Sequence, residues 1–370
     1  MTLFPPNSYL YVYLFVATVS TILVATSYYF IDGERIKVYS PRTDYIALFI
    51  ALFFAIFIGA REPIMEYFGD SEGMARYFNL IKLSTSGFKW DREASNFIFD
   101  NLLEWMSKSG YTYTAFFTVI SVLYFFGALL VCKLMFPNHL LASYLVWLSG
   151  FMTYGSSVNG FKAGVASIMF LLALAFKERQ LILSVLFLIL SLGFHHAMNL
   201  CVASFVLAFL IRSTRVYVAF WIVCVIISAA HITYFQELLV DYVDEKGAAY
   251  LIISDDPFRE GYYTGFRIDF ILFSIMPIIL GLYAIAKKQI EDKNFKFWLN
   301  VYLISNGLWL LCMYASYANR IAALSWAMYP ILLCYPFLRC NWGNNRYATF
   351  TKVILVQLGF NLFMKLIYVT

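Results

Sequence analysis

Several ionisable residues of this sequence stand at the ends of long apolar runs, where a charged side chain is costly and so marks a candidate functional site. Arginine and lysine suit phosphate oxygens, whereas a histidine or a carboxylate can accept a proton from a hydroxyl group. Together these residue types favour a site for an anionic substrate such as a phosphate or pyrophosphate. The residues are Arg61, Glu62, Asp70, Lys162, His195, His196, Arg267, Asp269 and Arg320.

Each of these residues also has a simpler interpretation. Arg61, Lys162 or Arg320 alone could lie at a helix end with its aliphatic stem in the apolar layer and its charged group in water. Asp70 could be a helix N-cap, and a histidine inside a membrane is often a hydrogen-bonded packing residue. The functional interpretation therefore depends on whether these residues lie together on the same side of the membrane. The arrangement of the helices determines this.

The composition predicts a polytopic membrane protein. Of the 370 residues, 62% are hydrophobic and 13% are charged, and the mean hydropathy is +0.72. Soluble domains carry about 25% charged residues. We expect an all-α bundle of about twelve transmembrane helices, without β-structure in the membrane, that forms a single domain over residues 1–370. The apolar runs are 9–30, 44–60, 114–132, 139–156, 161–176, 181–194, 197–211, 216–233, 269–286, 297–315, 321–338 and 347–368.

The short loops predict the orientation. Lysines and arginines collect in alternate loops, which the positive-inside rule assigns to the cytoplasm, and both termini then lie outside. The runs 161–176 and 181–194 are expected to form a helical hairpin whose turn, KERQ, carries Lys177 and Arg179 and is cytoplasmic. The open end of the hairpin, with Lys162 and the two histidines, faces the opposite side, as do the other candidates. The anionic-substrate site is thus predicted on the periplasmic or external face.

Two long segments, 61–113 and 234–268, fall on this outer face and are expected to contain amphipathic helices. In the first, Asp70 can cap one helix, and Asp91 can open another that ends at Gly110. The second combines carboxylates with tyrosines. That mixture suits sugar rings, but it equally fits an interfacial aromatic belt above an acidic loop.

No metal, cofactor or nucleic-acid partner is expected. The six cysteines show no CxxC or Cys/His ligand spacing, so they are predicted to be small buried hydrophobes. The net charge of +5 is dispersed among the loops, which argues against a nucleic-acid surface.

Five segments carry a resemblance to a known family, which runs over about residues 51–333. They are GAREPIMEYFGDSEGMARYFNL, EWMSKSGYTYTAFF, NGFKAGVASIMFLLALAFK, GFHHAM and NRIAALSWAMYPILL. In this order they resemble the first outer loop, the stretch before the third helix, the N-x-x-R-Q-x-x-A helix, the F-H-x-S-A segment and the late R…Y helix of the EpsG-like, Wzy-type polysaccharide polymerases. Lys162 and Ala163 stand where that family usually has Arg and Gln, and His195 matches the family histidine by position.

The resemblance implies a GT-C-like, metal-independent glycosyltransferase of the hexosyltransferase class in the bacterial inner membrane. Such an enzyme transfers a growing glycan from undecaprenyl pyrophosphate to a sugar hydroxyl of a new lipid-linked repeat unit, on the periplasmic or outer face. The implied partners are the lipid-linked donor and acceptor, membrane lipid and a chain-length regulator protein.

Within that chemistry His195 is the first candidate for the general base, and Asp70 or Glu62 is the second. Cations would hold the pyrophosphate as charge develops on it. Other interpretations are a different lipid-linked glycosyl transfer such as O-antigen ligation, a membrane O-acyltransferase, and a lipid-oligosaccharide flippase. A transporter would show matched repeats or midplane charges, whereas the charges here lie at one edge. The predicted pyrophosphate and glycan ligands are Arg61, Lys162, Arg320, Arg267, Asp269 and His196.

Overall fold

The structure, a computed structural model, describes residues 4–30, 41–236, 265–315 and 318–369, and within these ranges the chain is helical with no strand. The α-helices are α1 (Tyr9–Tyr29), α2 (Pro41–Gly59), α3 (Met65–Phe68), α4 (Ser71–Leu83), α5 (Phe97–Lys108), α6 (Tyr113–Met135), α7 (Leu140–Leu148), α8 (Thr153–Val158), α9 (Phe161–Phe176), α10 (Leu181–Phe194), α11 (Asn199–Leu210), α12 (Thr214–Ala229), α13 (Ile268–Ala286), α14 (Lys293–Leu311), α15 (Ala318–Trp326), α16 (Tyr329–Leu338) and α17 (Arg346–Val369).

The predicted all-α membrane fold is confirmed. By length and composition, five helical segments of the described chain can cross a membrane: Pro6–Tyr29, Tyr113–Met135, Ile268–Ala286, Ala318–Leu338 and Arg346–Lys365. Shorter apolar helices accompany them, among them α9 and α10. The chain is therefore a polytopic helical membrane protein.

Two predicted runs are interrupted. Run 139–156 is divided into α7 and α8 by a turn at residues 149–152. The Thr153 hydroxyl donates a hydrogen bond to the Trp147 carbonyl across this turn at 2.8 Å. Run 321–338 is divided into α15 and α16 just before Pro330. A proline lacks the N–H that continues a helix, and its ring clashes with the carbonyl four residues earlier, so the preceding helix ends there.

The chain divides into two compact units. Unit 1 comprises residues 1–198 and 337–370, and unit 2 comprises residues 199–336. Each is described by itself, and the single domain expected over 1–370 stays a prediction.

In unit 1, α6 lies between α2 and α9, α9 pairs with α10, and α1 packs along α17. The α9–α10 pair is the predicted hairpin. Its helices are joined by two buried hydroxyls, since Ser184 donates to the Ala173 carbonyl and Ser191 to the Ala166 carbonyl, both at 2.8 Å. Such bonds hold apolar helices together where lipid offers no hydrophobic driving force.

Basic residues gather at the turn end of this hairpin. Arg179 donates to the Leu134 carbonyl at the end of α6 at 2.8 Å, and Arg339 pairs with Glu178 at 3.4 Å. Lys133 on α6 pairs with Asp44 on α2. The charges that the positive-inside rule assigns to the cytoplasm therefore share one end of unit 1. Arg35 and Lys37 lie outside the described residues.

In unit 2, α11 and α12 pack against α14. The buried side chain of Asn306 on α14 accepts from Trp221 Nε1 at 2.8 Å and donates to the Ser274 and Ser325 hydroxyls at 3.2 and 3.1 Å. One amide thus ties α12, α13 and α15 to α14.

The first long loop contains α3, α4 and α5, as amphipathic helices were predicted there, but α5 begins at Phe97 rather than at Asp91. The Asp91 carboxylate accepts the Glu93 N–H at 2.8 Å, and the Asn101 side chain binds the Asp91 N–H and carbonyl at 2.8 and 2.7 Å. These bonds hold the segment before Asn96 as a turn. Of the second loop, residues 237–264 lie outside the described residues.

Cysteine labelling tests the predicted sidedness of unit 1. Ser86 is exposed between α4 and α5, and Asn138 is exposed between α6 and α7. We expect a membrane-impermeant maleimide to label Ser86→Cys in spheroplasts and Asn138→Cys only after the membrane is opened, because basic loops stay in the cytoplasm. The six native cysteines are buried, which keeps the background low. The reverse pattern would overturn the orientation.

Candidate active site at the open end of the hairpin

The open end of the α9–α10 hairpin carries Lys162 and the two histidines. Lys162 lies in the first turn of α9, and His195 is the C-cap of α10. The backbone turns extended at His195 (φ −156°, ψ 115°), and His196 opens a short 3-10 turn. The structure therefore places these three sequence-predicted residues at the same end of the hairpin.

One side-chain oxygen contacts both histidines. Asn96 Oδ1 lies 3.1 Å from His195 Nδ1 and 3.3 Å from His196 Nδ1, and it accepts the His196 backbone N–H at 3.3 Å. Because a carbonyl oxygen only accepts hydrogen bonds, each Nδ1 donates its proton to it. A neutral imidazole protonated on Nδ1 has its lone pair on Nε2, the nitrogen that can act as a base.

Asp100 fixes the orientation of Asn96. Asn96 is the N-cap residue of α5, yet its side chain makes no capping bond. Its backbone N–H donates to Asp100 Oδ2 at 3.2 Å, and its Nδ2 group donates to the same oxygen at 3.5 Å. With the amide nitrogen directed to the carboxylate, Oδ1 is left to face the histidines. The helix thereby forgoes a cap worth about 0.5–2 kcal/mol, a local cost typical of functional sites.

The other oxygen of Asp100 pairs with Lys162. The distance from Lys162 Nζ to Asp100 Oδ1 is 3.0 Å, and the ammonium lies 4.7 Å from the centre of the Phe99 ring. The Lys162 and Asp100 side chains are 28% and 36% exposed, so water partly screens the pair. Lys162, Asp100, Asn96, His195 and His196 form one connected group, here called the Asn96 cluster.

A missing side chain lets α5 approach the hairpin. A Cβ on Gly193, near the end of α10, would lie 2.5 Å from Ile98 Cδ1 and 2.6 Å from Ile98 Cγ1. Ile98 follows Asn96 by two residues, so this contact places the start of α5 beside the histidines. A side chain at residue 193 would displace the Ile98 side chain or move the start of α5 away from the histidines.

Arg61 is buried between the C-terminal ends of two helices. Nη1 donates to the Ile58 carbonyl of α2 at 2.7 Å, and Nη2 donates to the Val158 carbonyl of α8 and to the Ser71 hydroxyl, both at 2.9 Å. The guanidinium lies 4.7 Å from the centre of the Phe117 ring. Carbonyls at helix C-termini carry partial negative charge, so they stabilise the cation. Burial lowers the pKa of Arg61 to about 10, so Arg61 is still charged at neutral pH.

Arg61 Nε is buried and has no hydrogen-bond partner among the described residues. Most of the guanidinium is nevertheless used to join α2, α4 and α8. This structural role is established by its contacts, whereas the role of Arg61 in binding pyrophosphate stays a prediction.

Glu62 and Asp70 are exposed on the segment that joins α2 to α4. Asp70 is the N-cap residue of α4, but its carboxylate makes no capping bond, and its backbone N–H donates to Asn159 Oδ1 at 3.0 Å. Gly69 has φ +53°, and a Cβ there would lie 2.7 Å from the Asn159 amide. Glycine is the residue that permits both the backbone angle and this close approach. The sequence segments GD and NGFK are therefore in contact.

A layer of three phenylalanines lies between Arg61 and Lys162. The Phe161 ring is 5.6 Å from that of Phe117 and 5.9 Å from that of Phe99. Since Arg61 lies over Phe117 and Lys162 over Phe99, both cations border the same aromatic layer. The ring faces stabilise the two charges on the side that water does not reach.

The remaining predicted ligands belong to unit 2. Arg267 precedes α13 and forms a two-point pair with Asp269, with Nε–Oδ1 at 3.0 Å and Nη2–Oδ2 at 2.7 Å. Its guanidinium also lies 4.3 Å from the centre of the Phe270 ring. Arg320 lies on α15 and is half-buried. The assignment of these three residues to the substrate stays a prediction.

Sequence reasoning missed Asn96 and Asp100, which join the histidines to Lys162. A signal was present, because the two are four residues apart and therefore lie on one face at the start of an amphipathic helix. The loop contains other polar residues that are not part of the site. Only the packing of α5 on α10 shows that Asn96 and Asp100 are the ones that contact the histidines and Lys162.

The fold and the site define a polytopic helical membrane protein with an imidazole–amide–carboxylate–ammonium group at the open end of the α9–α10 hairpin. The EpsG family matches residues 44–370, so the chain belongs to the EpsG family. This membership and the apolar helices make it a membrane protein of polysaccharide biosynthesis. No curated protein and no solved structure matches the chain.

Arg61 offers a test of its structural role. We expect Arg61→Met to lower the stability of the detergent-solubilised protein by about 2 kcal/mol or more, because buried carbonyls at helix ends lose a charged donor. The measurement is chemical or thermal unfolding, with the exposed neighbour substitution Glu62→Gln as the matched control. Equal stability of the two variants would show that the buried contacts of Arg61 contribute little.

Proposed function

We propose that the chain is a polysaccharide polymerase that joins oligosaccharide repeat units carried on undecaprenyl pyrophosphate, on the outer face of the bacterial inner membrane. The observation that carries the proposal is the contact between Asn96 Oδ1 and His195 Nδ1 in the Asn96 cluster, which favours the tautomer protonated on Nδ1, whose Nε2 can accept a proton. EpsG family membership supports the same class of reaction.

His195 acts as the general base in this proposal. The acceptor sugar hydroxyl gives its proton to His195 Nε2 while its oxygen forms a bond to the anomeric carbon of the donor glycan. The bond from that carbon to the pyrophosphate breaks, and the lipid pyrophosphate leaves with the electron pair. The proton returns from His195 to solvent, so the histidine is ready for the next transfer. Asp70 and Glu62, both exposed, are the alternative bases.

Asn96 and Asp100 are positioning residues in this scheme. Asp100 orients the Asn96 amide, and Asn96 holds both imidazole rings. Lys162 is the cation of the Asn96 cluster. In this scheme its ammonium stabilises the departing pyrophosphate. Its pairing with Asp100 keeps the ammonium from reorienting between turnovers, and His196 contributes to binding rather than to proton transfer.

The implied partners follow from the chemistry. The donor is the growing lipid-linked glycan, the acceptor is a single lipid-linked repeat unit, and a chain-length regulator protein would set when transfer stops. The acceptor hydroxyl and the pyrophosphate both lie at the membrane surface, which agrees with a site at the ends of the helices rather than at their middle.

Histidine variants test the proposed base. We expect His195→Ala to leave single lipid-linked repeat units unpolymerised, because no base accepts the acceptor proton, whereas His196→Ala retains substantial polymer. The measurement is the length distribution of the polysaccharide at matched protein levels in the membrane. Long polymer from His195→Ala would show that this histidine is not the general base. Equal loss of polymer from both variants would indicate that the two histidines maintain the conformation of the open end of the hairpin.

Asn96 variants test positioning. Asn96→Asp would place a carboxylate against both Nδ1–H groups and favour the protonated rings. We therefore expect the acid limb of the pH–rate profile to move to higher pH, because the base form is populated only at higher pH. Asn96→Ala should lower kcat with little change in this limb. An unchanged profile for Asn96→Asp, at unchanged stability, would contradict the positioning role.

A further inference from the structure

A groove in unit 1, separate from the Asn96 cluster, is lined by α1, α17 and the turn between α7 and α8. It is partly open to its surroundings. Its polar lining comes from Tyr13, Thr18, Ser149, Tyr154, Asn361 and Lys365. Its apolar wall includes Leu14, Leu358 and Leu362.

Lys365 is the cation of this groove. Its ammonium lies 5.3 Å from the centre of the Phe151 ring, and among the described residues it has neither an ion pair nor a hydrogen bond. No carboxylate of the described chain lines the groove. A charge at membrane depth is costly unless an opposite charge or a set of hydrogen bonds compensates it. An aromatic face alone compensates only part of that cost.

Other polar groups of the groove are held by hydrogen bonds to their neighbours. Asn361 donates to the Ser149 carbonyl at 2.8 Å and accepts from Gln357 at 2.7 Å, so its amide is fixed. The Tyr13 hydroxyl is bound to the Leu148 carbonyl at 2.8 Å. Tyr154 also lines the groove, and its hydroxyl makes no hydrogen bond within the described part of the chain. The groove therefore offers two donors, Lys365 and Tyr154, to one guest.

The apolar wall indicates what kind of anionic ligand the groove would bind. Leu14 is half-buried, and Leu362 is 36% exposed on the outer surface of the helices. The groove thus joins a cationic, hydrogen-bonding lining to apolar side chains that are exposed on the outer surface of the helices. Such a combination suits a molecule with a phosphate head and a hydrocarbon tail, since lysine binds phosphate as a point charge.

We infer that this groove binds the phosphate group of a membrane lipid, with Lys365 as the charge partner and Tyr154 as a hydrogen-bond donor. The site does not depend on the proposed polymerase reaction. The alternative is a lysine at a helix end that merely extends to the membrane surface, and this alternative predicts no bound guest.

Lipid binding to the purified full chain tests the inference. The probes are undecaprenyl phosphate, phosphatidylglycerol, phosphatidylcholine and inorganic phosphate, each measured by native mass spectrometry or by ligand-induced shift of the unfolding midpoint. We expect Lys365→Met to weaken binding of the anionic lipids by about tenfold or more. Lys352→Met, an exposed lysine on the same helix, should leave binding unchanged.

The outcomes separate the sources of the phosphate. Preference for undecaprenyl phosphate over phosphatidylglycerol, lost in Lys365→Met, would support the inference and identify a carrier-lipid site. Equal binding of both anionic lipids, lost in the same variant, would support it as a general phospholipid site. Equal binding of inorganic phosphate would overturn the lipid assignment.

Two conservative variants distinguish a loss of binding from a loss of folding. Lys365→Arg keeps the charge, and Tyr154→Phe removes one hydrogen-bond donor. We expect Lys365→Arg to bind and Tyr154→Phe to bind more weakly than the wild type. Anionic lipid binding that Lys365→Met and Tyr154→Phe both leave unchanged would overturn the inference and reduce Lys365 to a surface anchor.

Discussion

The ion pair between Lys162 and Asp100, 3.0 Å long, joins the first helix of the hairpin to α5, and the architecture of the candidate site depends on it. Asp100 uses its second oxygen to orient Asn96, which then holds the histidines at the end of the second hairpin helix. A short loop helix thereby crosses the open end of the hairpin and is fixed to both of its arms. Loss of the Asp100 carboxylate would leave Asn96 without the group that orients its amide.

The two cations at this end of unit 1 serve different physical purposes. Arg61 is 1% exposed and satisfies carbonyls at helix ends, where its planar fork reaches three acceptors at once. Lys162 is 28% exposed and pairs with a single carboxylate. A lysine suffices for that single contact. The Arg61 position, in contrast, would not tolerate a lysine without losing acceptors.

The sequence predicted the helices well because lipid demands long apolar runs, and the hairpin followed from the charged KERQ turn. It could not predict where α5 begins, since that depends on side-chain bonds between Asp91 and Asn101 that only the folded loop forms. Asn96 and Asp100 were missed for a related reason. Their roles arise when Ile98 packs on Gly193, a contact between segments nearly a hundred positions apart along the chain.

Nitrogen NMR of the imidazole rings tests most directly whether Asn96 holds His195 in the tautomer protonated on Nδ1. The chain has four histidines, so selective 15N-histidine labelling in nanodiscs gives a spectrum that single substitutions can assign. We predict that His195 is neutral and protonated on Nδ1 near neutral pH, and that Asn96→Ala abolishes this preference while leaving the His231 signals unchanged. A wild-type His195 protonated on Nε2, or one that Asn96→Ala does not alter, would contradict the account.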